Sequence, residues 1–168
     1  MLPNHNRLLV ATDLSRNSAY AFKHAVMMAR RNQAQIHLLH VIPEVDAAMR
    51  AYISAMMVKG SLKKFEDQHE DQAHREIKRR LQKFAEEELA DNPDDLQRID
   101  TIEVVHGHPV ARILEAADRH NVDVLIMGSH GKGAITHASL GSTTEKVLRK
   151  TKRPVFVVPL PDEDYKKK

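Results

Sequence analysis

The sequence predicts an α/β fold, a single domain on an open five-stranded parallel sheet with helices on both faces. Three observations predict it. Four short runs, RLLVATDL (7–14), QIHLLHVI (35–42), VDVLIMG (122–128) and PVFVVP (154–159), are almost continuously apolar, the pattern of strands buried on both sides. A fifth run, IDTIEVVHG (99–107), has strand length but is more polar. Helical patterns separate the runs, and such alternation implies parallel pairing through right-handed crossovers.

After the strand at 7–14, Ser15 can cap a helix over 16–31, in which Ala19, Phe22, Val26 and Ala29 recur at helical spacing. The strand at 35–42 leads into segment 44–96, longer than one crossover helix requires. Its second half is amphipathic through Ile77, Leu81, Phe84 and Leu89. Its first half carries Met49, Met56 and Met57, then Gly60 and a charged run. A short helix, a hinge and a long helix packed on the sheet is the favoured arrangement. The alternative is a mobile flap whose methionines make adaptable contacts. Beyond the strand at 99–107, Pro109 suits the first turn of a helix over 109–120, with Val110, Ile113, Leu114 and Ala117 on one face. After the strand at 122–128, Ser142 and Glu145 have capping-box spacing, which opens a helix over 142–151 that includes Val147 and Leu148.

A chain of 168 residues fits one domain, 1–168, with an adequate core. With 42% hydrophobic and 29% charged residues, the composition is that of a globular protein. The absence of cysteine excludes disulfides and thiolate catalysis and fits a reducing compartment. No apolar run reaches the roughly 18 residues of a membrane span. The first residues lack the apolar region and cleavage site of a signal peptide, so a cytoplasmic location and no membrane insertion are expected. The net charge of +3 comes from Lys166, Lys167 and Lys168; the remaining 23 basic residues face 23 acidic ones. With 4% aromatic residues and no tryptophan as well, nucleic acid is not an expected partner.

The segment MGSHGKGAITHASLGSTTEKV (127–147) holds four of the six glycines, at 128, 131, 133 and 141. It runs from the end of a buried strand to the start of a helix, where open α/β sheets bind ligands. A helix start offers unpaired N–H groups and a positive dipole end, and glycine lets the main chain approach a phosphate. Hydroxyls of Ser142, Thr143 and Thr144 can add donors or reach a magnesium ion. From glycine spacing alone, a phosphate cradle and a plain surface loop remain equally open.

VATDLS, LLHVI, MGSHGKG and GSTTEKVLRKTKRPVFVVP together resemble the universal stress protein family. Gly128, Gly131, Gly141 and Ser142 match the Gly-x2-Gly-x9-Gly-Ser motif of its ATP-binding branch. The resemblance covers nearly the whole chain except 44–96. It implies a Rossmann-like sheet of the adenine nucleotide alpha-hydrolase type, in order 3-2-1-4-5. It implies that Ala11 and Thr12 line the base side of an ATP site, and that Asp13 meets the ribose or fixes the neighbouring loop. Val41 would meet adenine. Met127, Gly128, His130 and Gly131 would wrap ribose and inner phosphates, while Gly141, Ser142 and Thr143 would face the outer phosphates, accompanied by Mg2+. Ala11 stands where nucleotide-binding members often carry proline, which loosens that loop.

Asp13 could instead cap the helix that begins near Ser15. Lys132 sits among the glycines without Walker-loop context, and an exposed lysine is the default. Of eleven histidines, His37 and His40 point to opposite faces of a strand and cannot share an ion, and Pro109 argues against a site at His106 and His108. No second carboxylate, glutamine or arginine accompanies the glycine segment to drive ATP hydrolysis. The expectation is therefore an ATP-binding stress-response or regulatory module acting on an unidentified protein partner. Slow ATP hydrolysis or autophosphorylation, and binding of AMP or cyclic AMP, are the alternatives. In the family order the strand at 154–159 lies at the sheet edge, and pairing of this edge between two subunits predicts a homodimer.

Overall fold

The computed structural model describes residues 3–44, 61–130 and 140–159, with backbone alone over 61–70. Residues 45–60, including Met49, Met56, Met57 and Gly60, lie outside the described residues, as do Gly131, Lys132, Gly133 and His137.

Five strands form one parallel sheet: β1 (Arg7–Ala11), β2 (Gln35–Ile42), β3 (Ile99–His106), β4 (Val124–Gly128) and β5 (Val155–Val158). Their order is β3-β2-β1-β4-β5, so β1 and β4 are central neighbours. Helices α1 (Arg16–Asn32), α2 (Ser61–Glu88), α3 (Pro109–Arg119) and α4 (Ser142–Lys150) supply the connections, and a 3-10 turn (Pro93–Arg98) precedes β3. The strands are apolar along both faces because both are covered. Leu8 and Val10 join a core with Phe22, Ala25 and Leu81, beneath α1 and α2. Leu9 joins a second core with Val110, Ile113 and Val147, beneath α3 and α4.

The helix signals are mostly realised. Ser15 is the N-cap of α1, and its side chain accepts from the Ser18 N–H. Pro109 occupies the first turn of α3. On α2, Leu81 and Leu89 are buried while Ile77 and Phe84 pack partly against the same core. The exposed side of α2 holds Glu76, whose carboxyl is lowered to about 2 by bonds from Arg79 and Arg80. His74 of α2 reaches the open edge of β3, its Nε2 lying 2.8 Å from the Val104 carbonyl. A buried carboxylate, Asp95, accepts from Arg30 and Arg98 and ties α1 to the turn before β3. Those guanidinium groups, Arg30 first, hold its carboxyl below the ordinary range.

One expectation is corrected at α4. The helix is capped by Gly141, with no side-chain cap bond, and Ser142 is its first helical residue, so the Ser142–Glu145 capping box does not form. Leu148 is 39% exposed, because this nine-residue helix turns only the Val147 side toward the sheet.

At the amino end of the sheet, His37 is buried and stacks on His120, with ring centroids 4.4 Å apart. Its Nδ1 lies 2.9 Å from Thr101 Oγ1, and its Nε2 has no hydrogen-bond partner among the described residues. Burial pushes His37 below the ordinary imidazole value of 6.5; His120 and Arg7 add to this, and Asp100 and Glu103 oppose it. The native protein therefore holds this proton more weakly than the unfolded chain. The contribution is complete above pH 6.5 and is lost as pH falls from there toward the native value. Urea denaturation should show lower stability at acidic pH than at neutral pH, and His37→Leu should flatten that difference.

Candidate functional site

The site is built where the two halves of the sheet diverge. After β1 the chain crosses through α1 on one face, and after β4 it crosses through α4 on the other, so the carboxyl ends of β1 and β4 flank a topological switch point. Ala11 pairs with Met127 across these strands, and both lie on the α3–α4 side of the sheet together with Val41. Asp13, Gly128, His130 and Gly141 are half-buried around this end, and Ser142 is exposed.

The loop after β1 is held by its own side chains. Asp13 Oδ1 accepts from the Ser15 N–H at 3.0 Å, so Asp13 fixes the turn while Ser15 caps the helix. Thr12 is buried and fully engaged. Its hydroxyl donates to Ser18 Oγ and accepts from the Leu14 N–H, its N–H donates to Leu39, and its carbonyl meets His40 Nδ1 at 2.8 Å. Leu14 is thereby held at φ 62, a conformation uncommon for a non-glycine residue. Asn17, Ser18 and His40 carry this loop, and the sequence singled out none of them for the site.

The end of β4 is equally braced. Thr144 Oγ1 donates to the Gly128 carbonyl at 2.9 Å, Ser129 N–H donates to Val158, and Gly141 N–H donates to the Ser129 carbonyl at 2.7 Å. The last bond joins the described residues on either side of 131–139. Asn17 Nδ2 donates to the His130 carbonyl at 2.7 Å, joining α1 to this turn.

The two described glycines of the motif have different causes. A Cβ on Gly128 would stand 2.8 Å from Asn17 Nδ2, so the protein's own packing excludes a side chain there. Gly141 has φ −59° and ψ 143°, a conformation open to any residue. As the cap of α4 it leaves the first amides of the helix without a side-chain acceptor, where serine, aspartate or asparagine would ordinarily supply one. An uncapped helix start thus follows β4, and the half-buried Asp13 follows its neighbour β1; a helix start of this kind suits an anion. Among the described residues no group of three potential ligands is placed to hold a metal ion, and no helix is long and apolar enough to cross a membrane.

The family model described as "Universal stress protein family" matches residues 4–159, almost the full span of the sheet and its helices. The chain belongs to the universal stress protein family. It is 32% identical over 158 residues to universal stress protein MJ0577 of Methanocaldococcus jannaschii, covering 92% of this chain and 94% of that one. A solved structure of MJ0577 superposes with a TM-score of 0.73 at 29% identity, covering 95% of this universal stress protein and 99% of its neighbour. A universal stress protein solved in complex with cAMP shares the fold, with a TM-score of 0.57 at 22% identity over 92% of this chain and 97% of that one. The order β3-β2-β1-β4-β5 agrees with the order implied by the sequence resemblance.

Proposed function

We propose that this universal stress protein binds ATP at the switch point and acts as a nucleotide-dependent stress-response or regulatory module. The observation that carries the proposal is the glycine cap of α4. Its dihedral angles are open to any residue and it supplies no side-chain cap, so glycine at this position leaves the first amides of α4 open to a phosphate. Asp13, held in the loop opposite, is the acceptor for ribose hydroxyls. Ala11 and Thr12 close the base side, and Val41 meets adenine. Met127, Gly128, His130 and Gly131 surround ribose and inner phosphates, and Gly141, Ser142 and Thr143 receive the outer ones. The Ser142 and Thr143 hydroxyls would offer oxygen donors to a Mg2+ ion accompanying the triphosphate, which would neutralise part of its charge.

Mass spectrometry of small molecules released from the purified protein, followed by calorimetric titration with Mg·ATP, tests the assignment. Recovery of adenine nucleotide and saturable binding are expected; an empty protein that takes up no ATP would overturn it. The neighbour solved with cAMP favours one second reading, a cyclic nucleotide in the same place. Competition between cAMP and ATP in the same titration separates the two. Single-turnover phosphate release should stay well below about one per second, because the reading assigns the site binding groups and no base or orienting residue for water.

The place of β5 at the end of the sheet, with no strand beyond it among the described residues, supports a homodimer in which two such strands pair. Phe156 is 40% exposed there and sits 6.0 Å from the His24 ring. A sedimentation experiment at micromolar concentration should find a species of twice the 19.1 kDa chain mass, and a purely monomeric boundary would refute the pairing.

A further inference from the structure

One side chain at the switch point has no place in the nucleotide contacts just described. Asn17 is the second residue of α1, on the first turn of a helix, yet it is only 5% exposed. Its Nδ2–H donates to the His130 carbonyl across 113 positions of sequence. The same amide occupies the space beside Gly128, where a Cβ would meet Nδ2 at 2.8 Å and Cγ at 3.0 Å. Its Oδ1 is buried and has no hydrogen-bond partner among the described residues. Because a carbonyl can only accept, the nitrogen must face His130, and the amide orientation follows. A buried amide oxygen without a partner is uncommon and calls for an explanation beyond packing.

We propose that Asn17 is the positioning residue of this site: it locks the backbone of Gly128 through His130 to α1 and thereby sets the affinity for the nucleotide. The proposal rests on the ATP reading above. The loop after β1 and the turn after β4 belong to different halves of the chain, and the pairing of β1 with β4 ends at Ala11 and Met127. Asn17 continues the connection past that point. It follows Ser15, which Asp13 and Ser18 already hold, and it clasps the turn that leads from β4. With Asn17 in place, the base and ribose side and the phosphate side form one frame before the ligand arrives. Preorganisation of this kind raises affinity without any direct contact.

The test is a calorimetric cycle with Mg·ATP on the wild type, Asn17→Ala, Gly128→Ala and the double variant. It is run at a temperature where circular dichroism shows each protein fully folded. Asn17→Ala should weaken binding about tenfold, the factor of roughly one hydrogen bond. Gly128→Ala should weaken it further by displacing the amide. The double variant should bind better than Gly128→Ala alone, because alanine at position 17 vacates the contested space. A residue that serves stability alone would lower the melting temperature and leave affinity and this rescue unmoved. Unchanged affinity in Asn17→Ala, or losses that simply multiply in the double variant, would overturn the proposal. Failure of the wild type to bind ATP would instead sink the nucleotide reading. Hydrogen exchange without nucleotide then decides the positioning role: the Ser129 and Gly141 amides should exchange faster in Asn17→Ala, and unchanged rates would refute it.

Discussion

Replacing Gly141 with aspartate is expected to stabilise the folded protein while removing its affinity for ATP. Aspartate is a better N-cap than glycine, and its charge favours the positive end of the helix dipole. Together these effects should raise the unfolding free energy by about 0.5–1 kcal/mol. The same carboxylate would stand where the phosphates are proposed to lie, competing for the open amides of α4 and repelling the ligand. Two unit charges about 4 Å apart near a protein surface repel by roughly 4 kcal/mol, so a loss of at least about 100-fold in affinity is expected. Urea denaturation and calorimetry on one preparation read both quantities. Opposite signs are the informative result, since general damage lowers both together. Undiminished ATP affinity in Gly141→Asp would place the phosphates away from α4.

Phe22→Ala should produce the converse pattern. Phe22 is fully buried in the core between the sheet and helices α1 and α2, and its ring centroid lies 5.4 Å from that of Phe84. Truncating such a ring removes its burial and leaves a cavity, a combined loss of about 3–5 kcal/mol. The contact with Phe84 makes the loss specific to the join between α1 and α2, because Phe84 is left without its ring partner. Denaturant titration should show the full drop. Measured well below the new midpoint, nucleotide affinity should stay within a few-fold of the wild type, since the truncated ring lies beneath α1 rather than at its first turn. A collapse of affinity equal to that of Gly141→Asp would mean that the core and the site cannot be perturbed separately.

The fold was legible because its main signals are local. Runs such as Leu8–Val10 and Val124–Met127 are apolar on alternate residues and between them, and only doubly covered strands need that. Ser15 and Pro109 mark helix starts by chemistry that acts within one turn. The cap of α4 was misplaced by one residue because Gly141 and Ser142 are adjacent candidates. Hydroxyl preference pointed to Ser142, whereas the chain begins its helical turn there and leaves the cap to glycine.

The glycine motif pointed to the candidate site, but sequence could not distinguish the reasons for its members. Gly128 is explained by Asn17, a neighbour acquired only through folding, while the backbone conformation of Gly141 does not itself require glycine. Asn17 and His40 were missed for the same reason: an asparagine on a first turn and a histidine within a strand are unremarkable until tertiary structure places their polar atoms against His130 and Thr12. Thr144, expected to offer its hydroxyl to phosphate or magnesium, is buried and donates it to the Gly128 carbonyl instead.

The bond between His74 and Val104 limits how this molecule can grow. A sheet has two margins, and at one of them the His74 imidazole occupies the Val104 carbonyl, a group that an added strand would need. In the proposed dimer the other margin pairs with its own copy, and an imidazole then stands against strand addition at each outer border.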